Sequence, residues 1–403
     1  MLCSVLPTAV CAEETSAYDM DYSAYKGTTL TVYNWGEYIS DGSEGTYDVI
    51  AEFEALTGIK VIYETYDSNE SMYTKLQSGA ANYDVIIPSD YMIERLADEG
   101  MLEELDYSNI PNYRYIDDKY KGLFFDPDNK YTAAYTAGYV GLIYNTEVVT
   151  ETPSSWSIMW DEQYIGQILM PNNPRDAFGV AQYLLGGQTE DPDDYSVNSS
   201  NEEEWYNALS KLKEQKPLVK GYVMDEIFNK MESGDAAIAA NYAGDFLTMY
   251  CENDSLAFVY PDEGTNVFVD AMCIPKGAKN KTAAELFINF MLEPEVAIAN
   301  AEYICYASPC WSVYEDQGYI ETMTEIHEDA MEILYGTDEV KAQYFHNMPP
   351  EGLNLMNHLW EELKIDASSG IGVYIASGVI VAGLIAVIAA NAYTKKKRAR
   401  YYD

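Results

Sequence analysis

Hydrophobic and polar positions in the first part of the chain predict short strands that alternate with helices. Each predicted strand is a run of β-branched, aliphatic and aromatic residues, and each predicted helix has apolar residues at helical spacing. The predicted strands cover residues 29–33, 60–66 and 85–88, and the predicted helices cover residues 46–57, 71–78 and 92–99. This alternation favours a mostly parallel α/β sheet that binds ligands at the carboxyl ends of its strands.

A second α/β segment begins with an apolar run at residues 139–145. Helical spacing follows at residues 177–185, 202–215 and 223–233, and the acidic, polar stretch 188–201 is predicted to be a surface loop. The region between the terminal segments is longer than a single hydrophobic core usually extends, which predicts two domains.

The two ends of the chain carry targeting signals. Residues 371–393 are uncharged and long enough to cross a bilayer core of about 30 Å, so we expect a transmembrane helix there. The basic tail 394–403 then lies in the cytoplasm and the preceding part outside the cell membrane. Residues 1–12 resemble the remnant of a secretory signal peptide cleaved after Ala12.

Composition narrows the class of ligand. The 24 basic and 66 acidic residues give a formal net charge of -42, a field that repels nucleic acid and attracts cations. We therefore expect a cationic ligand and no nucleic-acid partner.

The cysteines after the signal segment are too few for a disulfide scaffold, although Cys305 with Cys310 or Cys251 with Cys273 could pair outside the cell.

Sequence motifs for catalysis or cofactor binding are absent. The 3 histidines have no metal-ligand spacing, and there is no nucleophile elbow, phosphate-binding loop or dinucleotide fingerprint. The run Asp126-Pro127-Asp128-Asn129 lacks the glycine and distal glutamate of an EF-hand loop, so it is predicted to be a turn. We predict no cofactor, metal or enzymatic activity, but an extracellular glycosidase stays open because two suitably spaced carboxylates suffice.

The loop after the first strand carries Trp35, Glu37 and Tyr38, which suit an organic ammonium ion. Aromatic faces attract cations, and a carboxylate forms a charge-assisted hydrogen bond with N–H. Ser89 and Tyr91 follow the third predicted strand, so we expect them at the same edge of the sheet. An oligosaccharide receptor is an open alternative, because sugars also stack on Trp and Tyr.

Several motifs resemble the spermidine/putrescine-binding proteins of ABC importers. The resemblance covers about residues 28–365. Its principal motifs are Tyr33-Asn34-Trp35-Gly36-Glu37-Tyr38, Thr57-Gly58-Ile59-Lys60-Val61, Ser68-Asn69-Glu70, Tyr83-Asp84-Val85-Ile86-Ile87-Pro88-Ser89, Ala243-Gly244-Asp245, Val269-Asp270 and Phe287-Ile288-Asn289-Phe290.

The resemblance implies a two-lobed periplasmic-binding-protein fold of type II, with a polyamine held in the cleft as the lobes close. One lobe would contain residues 28–138 with about 268–315, and the other residues 139–267 with about 316–366. The partners implied are a polyamine ligand and ABC permease subunits in the membrane, with no chemical step.

The resemblance also implies a set of ligand-binding residues, in which carboxylates bind the ammonium groups and aromatic rings enclose the methylene chain. The set is Trp35, Glu37, Tyr38, Ser89, Tyr91, Asp176, Tyr242, Asp245, Phe268, Asp270 and Tyr306. Tyr242 stands where the family usually has Trp, Gly36 replaces a usual Ser or Thr, and Asn173 lies near a position that is often acidic. The preference between spermidine and putrescine therefore stays open.

Overall fold

The computed structural model describes residues 16–79, 82–189 and 194–365. The strands are β1 Thr29–Trp35, β2 Lys60–Tyr66, β3 Val85–Ile86, β4 Ala133–Asn145, β5 Ile168–Pro171, β6 Val219–Val223, β7 Ile238–Tyr242, β8 Leu256–Val259, β9 Thr265–Met272 and β10 Ala342–Gln343. The α-helices are α1 Val49–Thr57, α2 Asn69–Gln77, α3 Asp90–Asp98, α4 Pro174–Gly186, α5 Glu202–Gln215, α6 Glu226–Glu232, α7 Ala243–Glu252, α8 Lys281–Met291, α9 Pro294–Ile304, α10 Trp311–Tyr314, α11 Gln317–Ile326, α12 Ala330–Tyr335 and α13 Pro350–Lys364.

The first sheet has the order β2-β1-β3, and its strands are parallel as predicted. Helix α1 begins after Asp48, whose side chain accepts a backbone N–H of the first turn, and it ends at Gly58 in a left-handed conformation. These two residues fix the crossover from β1 to β2. The third strand is shorter than predicted, because its ladder ends after Ile86.

The second sheet has the order β10-β9-β4-β7-β5-β6, with β8 paired to β4. Strand β5 is parallel to β6 and β7, whereas β4 is antiparallel to β7, β8 and β9. This sheet is therefore mixed, unlike the first one. The reason is that β4 and β9 run through the molecule in opposite directions, which a local sequence pattern does not reveal.

Strands β4 and β9 connect the two sheets. Residues 133–139 of β4 pair with β9, and residues 140–145 pair with β7 and β8. Beyond the end of β9, the N–H of Cys273 donates to the carbonyl of Ile86, and the N–H of Ile86 donates to the carbonyl of Cys273. The same long strands thus belong to both halves of the fold.

The second half follows the sequence pattern closely in its helices. Helix α5 has the predicted bounds, while α6 begins at Glu226, later than the predicted start of the helix at residue 223. The difference arises because Val219–Val223 forms the edge strand β6. Helical spacing alone does not exclude such a strand immediately before a helix.

The terminal predictions and the cysteines have different outcomes. Cys251, Cys273, Cys305 and Cys310 are all free thiols, so neither of the considered pairings is formed. Across the described ranges, no helix is long and apolar enough to cross a membrane. The predicted signal remnant 1–12, transmembrane helix 371–393 and basic tail 394–403 lie outside the residues that the structure describes.

Candidate ligand-binding cleft

A cleft of about 630 Å³ opens between the two sheets, a size typical of small-molecule sites. It is bordered by the loops after β1 and β3, by the first turns of α4 and α7, and by one side of β9. The structure brings all the sequence-predicted residues to this cleft: Trp35, Glu37, Tyr38, Ser89, Tyr91, Asp176, Tyr242, Asp245, Phe268, Asp270 and Tyr306. Their individual roles in binding stay predictions.

The loop after β1 is shaped by Asn34 and by an unusual backbone conformation. The side chain of Asn34 accepts the N–H of Trp35 at 2.8 Å and donates to the hydroxyl of Tyr63 at 2.9 Å. Glu37 has a left-handed φ of 49°, which is uncommon for a residue with a side chain. This turn leaves Glu37 exposed at the cleft while the indole of Trp35 packs against Tyr66, with ring centres 4.6 Å apart.

Asp270 is a buried carboxylate of the cleft with one oxygen that has no hydrogen-bond partner. Its Oδ2 accepts a hydrogen bond from the hydroxyl of Tyr38 at 2.8 Å, with the hydroxyl of Thr136 also nearby at 3.4 Å. Its Oδ1 is buried and has no hydrogen-bond partner. Burial raises the pKa of Asp270 to about 6. A buried anion with a free oxygen is costly unless a donor or cation approaches it.

Two further aspartates are also held by tyrosine hydroxyls. Tyr242 donates to Asp176 at 2.8 Å, and Tyr306 donates to Asp245 at 2.6 Å. Burial raises the pKa of each of these carboxyls to about 6, and the tyrosine hydrogen bonds oppose that rise. The tyrosines keep their protons, because burial raises their pKa values well above the ordinary value of 10.0. They therefore hold the carboxylates in place as fixed donors.

Four aromatic side chains form what we call the aromatic box: Tyr38, Tyr242, Phe268 and Tyr306. The rings of Tyr38 and Tyr306 meet edge to face at 5.0 Å, and those of Tyr242 and Phe268 do so at 5.5 Å. All four rings line the cleft, and aromatic rings attract cations. The box aspartates, Asp176, Asp245 and Asp270, surround these rings.

Two glycines allow the aromatic rings to come this close to the backbone. A Cβ at Gly244 would lie 2.6 Å from the ring of Tyr306, and one at Gly138 would lie 2.7 Å from that of Phe268. Real Cβ contacts are not this short, so alanine at either position would displace a ring. Close packing against the Tyr306 ring therefore explains why the Ala-Gly-Asp motif has a glycine at position 244.

Tyr91 forms another wall, and the protein's own groups occupy its polar end. The guanidinium carbon of Arg175 lies 3.8 Å from the centre of the Tyr91 ring. Asn69 donates to the Tyr91 hydroxyl, which itself donates to Glu70 at 3.2 Å. Burial raises the pKa of the adjacent Asp176, and the charge of Arg175 offsets only part of that rise. Arg175 also donates to the carbonyl of His346 at 3.1 Å. Arg175 forms no ion pair with any of the three box aspartates.

The sequence analysis missed the surface of helix α6 that lines the cleft, which is formed by Asp225, Phe228, Asn229 and Glu232 and is here called the α6 face. The signal was present as helical spacing in residues 223–233, but that spacing describes an amphipathic helix equally well in any location. Cleft-lining amides were also missed as ligand candidates: Asn69, Asn173, Asn229, Asn241 and Asn266.

Known proteins are similar to this chain in sequence and in fold. Residues 80–331 match the sequence model of a family described as bacterial extracellular solute-binding protein. A spermidine/putrescine-binding periplasmic protein of Salmonella typhimurium is 34% identical over 285 residues, covering 70% of this chain and 77% of the relative. A putrescine-binding periplasmic protein of Escherichia coli, PotF, is 29% identical over 300 residues, covering 70% of this chain and 77% of that protein.

A solved structure is similar over most of the described region. The spermidine/putrescine ABC-transporter substrate-binding protein PotD of Streptococcus pneumoniae, in complex with calcium and HEPES, is 33% identical with a TM-score of 0.67. That similarity covers 84% of this chain and 98% of the PotD chain. The chain belongs to the bacterial extracellular solute-binding proteins. Within them it falls among the substrate-binding proteins of polyamine ABC transporters, which confirms the resemblance found in the sequence.

Proposed function

We propose that this protein captures a polyamine, spermidine or putrescine, outside the cytoplasm and delivers it to an ABC permease for import. The observation that carries the proposal is the buried Oδ1 of Asp270, which has no hydrogen-bond partner and belongs to a residue that lines the cleft together with two other aspartates of raised pKa. An ammonium group supplies both the charge and the N–H donors that this oxygen lacks. The aromatic box then encloses the methylene groups.

Binding is proposed to close the cleft by rotation about the connecting strands. The exchange of partners along β4, after Tyr139, supports a boundary between lobes at residues 138 and 139. Contacts between β3 and the end of β9 support a type II arrangement, in which β9 lies between β3 and β4. A ligand bound by Tyr38 and Asp270 on one side and Asp176 on the other stabilises the closed state by its contacts with both lobes.

Thermal shift and titration calorimetry of the full-length chain test this function. We expect a rise in melting temperature and saturable heat with spermidine or putrescine, and no response to maltodextrins. A response to maltodextrins in place of amines would favour the oligosaccharide receptor. No response to any diamine or triamine would contradict the proposal.

We also propose that the protein is anchored in the cell membrane through residues 371–393, with residues 394–403 in the cytoplasm. The support is the uncharged sequence followed by basic residues, together with helix α13, which ends at Lys364 a few residues before that segment. Salt-washed membranes from expressing cells should retain the full-length protein and lose a variant that ends at residue 365. Recovery of both proteins in the soluble fraction would contradict anchoring.

A further inference from the structure

The cleft continues beyond the aromatic box along helix α6. Asp225, Phe228, Asn229 and Glu232 line it, at spacings of three, four and seven residues from Asp225, which places them on one side of a helix. Phe228 is partly buried, whereas Asp225 and Asn229 are exposed to the cleft solvent. The α6 face therefore offers both an apolar surface and a carboxylate to a ligand that extends out of the box.

Asp225 lies directly opposite the loop that follows β1. A Cβ built on Gly36 would be 3.7 Å from Oδ2 of Asp225, which is ordinary contact distance. Because Gly36 has no side chain, the space beside this carboxylate stays open to a ligand. A hydroxyl-bearing residue at position 36 would fill that space and contact Asp225 itself.

Asp225 lies near other acidic residues. Partial burial raises the pKa of Asp225, and the negative charges of Asp67 and Glu226 raise it further. Asp225 in turn raises the pKa of Asp245 in the box, so the two carboxylates act on the same cleft. A cation near Asp225 relieves repulsion between the acids. The buried and unpartnered Oδ1 of Asp270 attracts a second cationic group further inside.

We propose that Asp225 is a specificity-determining residue that binds an additional ammonium group of a polyamine whose other ammonium lies among the box aspartates. A triamine has a further ammonium group to place beside Asp225 while its other ammonium groups stay among the box aspartates, so this contact favours triamines over diamines. This inference rests on the proposed polyamine-binding function. It attributes the preference for a longer ligand to the place where Gly36 lies opposite the α6 face.

Titration calorimetry of the full-length protein with spermidine and with putrescine tests the assignment. We expect Asp225→Asn to weaken spermidine binding about tenfold or more, as for loss of a hydrogen bond to a charged group, and putrescine binding less than about threefold. Gly36→Ser should also weaken spermidine selectively, because its hydroxyl occupies the space beside Asp225. Unchanged melting temperatures without ligand verify that the variants fold.

Glu226→Gln is the matched control, since it removes one adjacent negative charge from a residue that does not line the cleft. It should change both affinities equally and by less than about threefold. Equal losses for both amines in Asp225→Asn, or no loss, would overturn the inference while leaving the polyamine receptor intact. A selective loss in Glu226→Gln as large as that in Asp225→Asn would overturn it as well. Failure of the unmodified protein to bind either amine would instead contradict the proposed function.

Discussion

Asp126 and Asp270 are buried almost equally, at 3% and 4% exposure, yet their carboxylates have very different partners. Asp126 lies in a turn and accepts three backbone N–H groups, of residues 130, 131 and 132, as well as the hydroxyl of Thr132. Asp270 lies in the cleft and accepts hydroxyl donors at Oδ2, while Oδ1 has no partner. The first carboxylate is satisfied by its own fold and the second is not.

The difference distinguishes structural acids from candidate ligand-binding acids in a chain with 66 acidic residues. A structural carboxylate is fully hydrogen-bonded within the protein, so burial costs little. Asp270 is buried with one oxygen that has no partner, and its pKa rises because burial disfavours the charged form. Composition and charge cannot distinguish the two cases, whereas hydrogen-bond partners can.

The largest expected effect contrasts the stability of two asparagine variants. Asp126→Asn should lower the free energy of unfolding by about 1–3 kcal/mol, because an amide NH₂ group would face backbone N–H donors. Asp176→Asn should instead raise it by about 1–3 kcal/mol in the ligand-free protein near neutral pH, because it removes a buried charge whose pKa is about 6. Denaturant unfolding of both variants checks the opposite signs. Equal destabilisation would show that the two acids do not differ in this way.

The next effect concerns affinity at Asp270. Asp270→Asn keeps the shape of the side chain but removes its charge, so it should weaken polyamine binding by about 1.5–3 kcal/mol, or roughly 10- to 150-fold. Titration calorimetry measures the loss. Asp235→Asn is the control, because Asp235 is an exposed acid that pairs with Lys220 and lies outside the cleft. An unchanged affinity in Asp270→Asn would remove this residue from the binding site.

The pH dependence follows from the raised pKa values of the box aspartates. Binding of an ammonium favours the ionised form, so affinity should be constant at neutral pH and fall as the pH drops through about 6, by up to about tenfold per pH unit for each proton taken up. The ligand-free protein has the opposite trend. Its contribution to stability from these groups is fully present below 3.8 and is lost as the pH rises through 6.

Calorimetry across this pH range, in buffers of different ionisation enthalpy, measures the proton release on binding. Asp270→Asn should reduce the number of protons released, whereas Asp235→Asn should not. An affinity that stays constant down to about pH 5 would contradict the raised pKa values of the cleft carboxylates.

The smallest effect is expected at the exposed Glu37. Glu37→Gln should weaken binding by about 0.2–1 kcal/mol, because water and salt screen an exposed charge. The loss should nearly vanish at about 1 M salt, where the screening length is about 3 Å, whereas the loss in Asp270→Asn should persist. Affinities at low and high salt measure this contrast. A salt-independent loss in Glu37→Gln would indicate that the carboxylate becomes buried on closure.

The sequence by itself determined the alternation of strands and helices, the parallel first sheet and the family motifs. Local spacing is sufficient for these features: Asp48 and Gly58 cap α1, and the 202–215 pattern predicts α5 with its observed bounds. It also pointed to Trp35, Asp245 and Asp270, because short motifs carry them. Residues that reach the cleft without a motif, such as Asp225, had no comparable signal.

Tertiary structure alone decided how β4 exchanges its partners after Tyr139, which makes the second sheet mixed. It also decided which partners the buried acids have, because Tyr38 and Asp270 are 232 positions apart in the chain and yet form a hydrogen bond of 2.8 Å. Helical spacing in α6 fixes which residues share a side, but packing fixes what that side faces. The opposition of Gly36 and Asp225 arises from that packing, and no local pattern contains it.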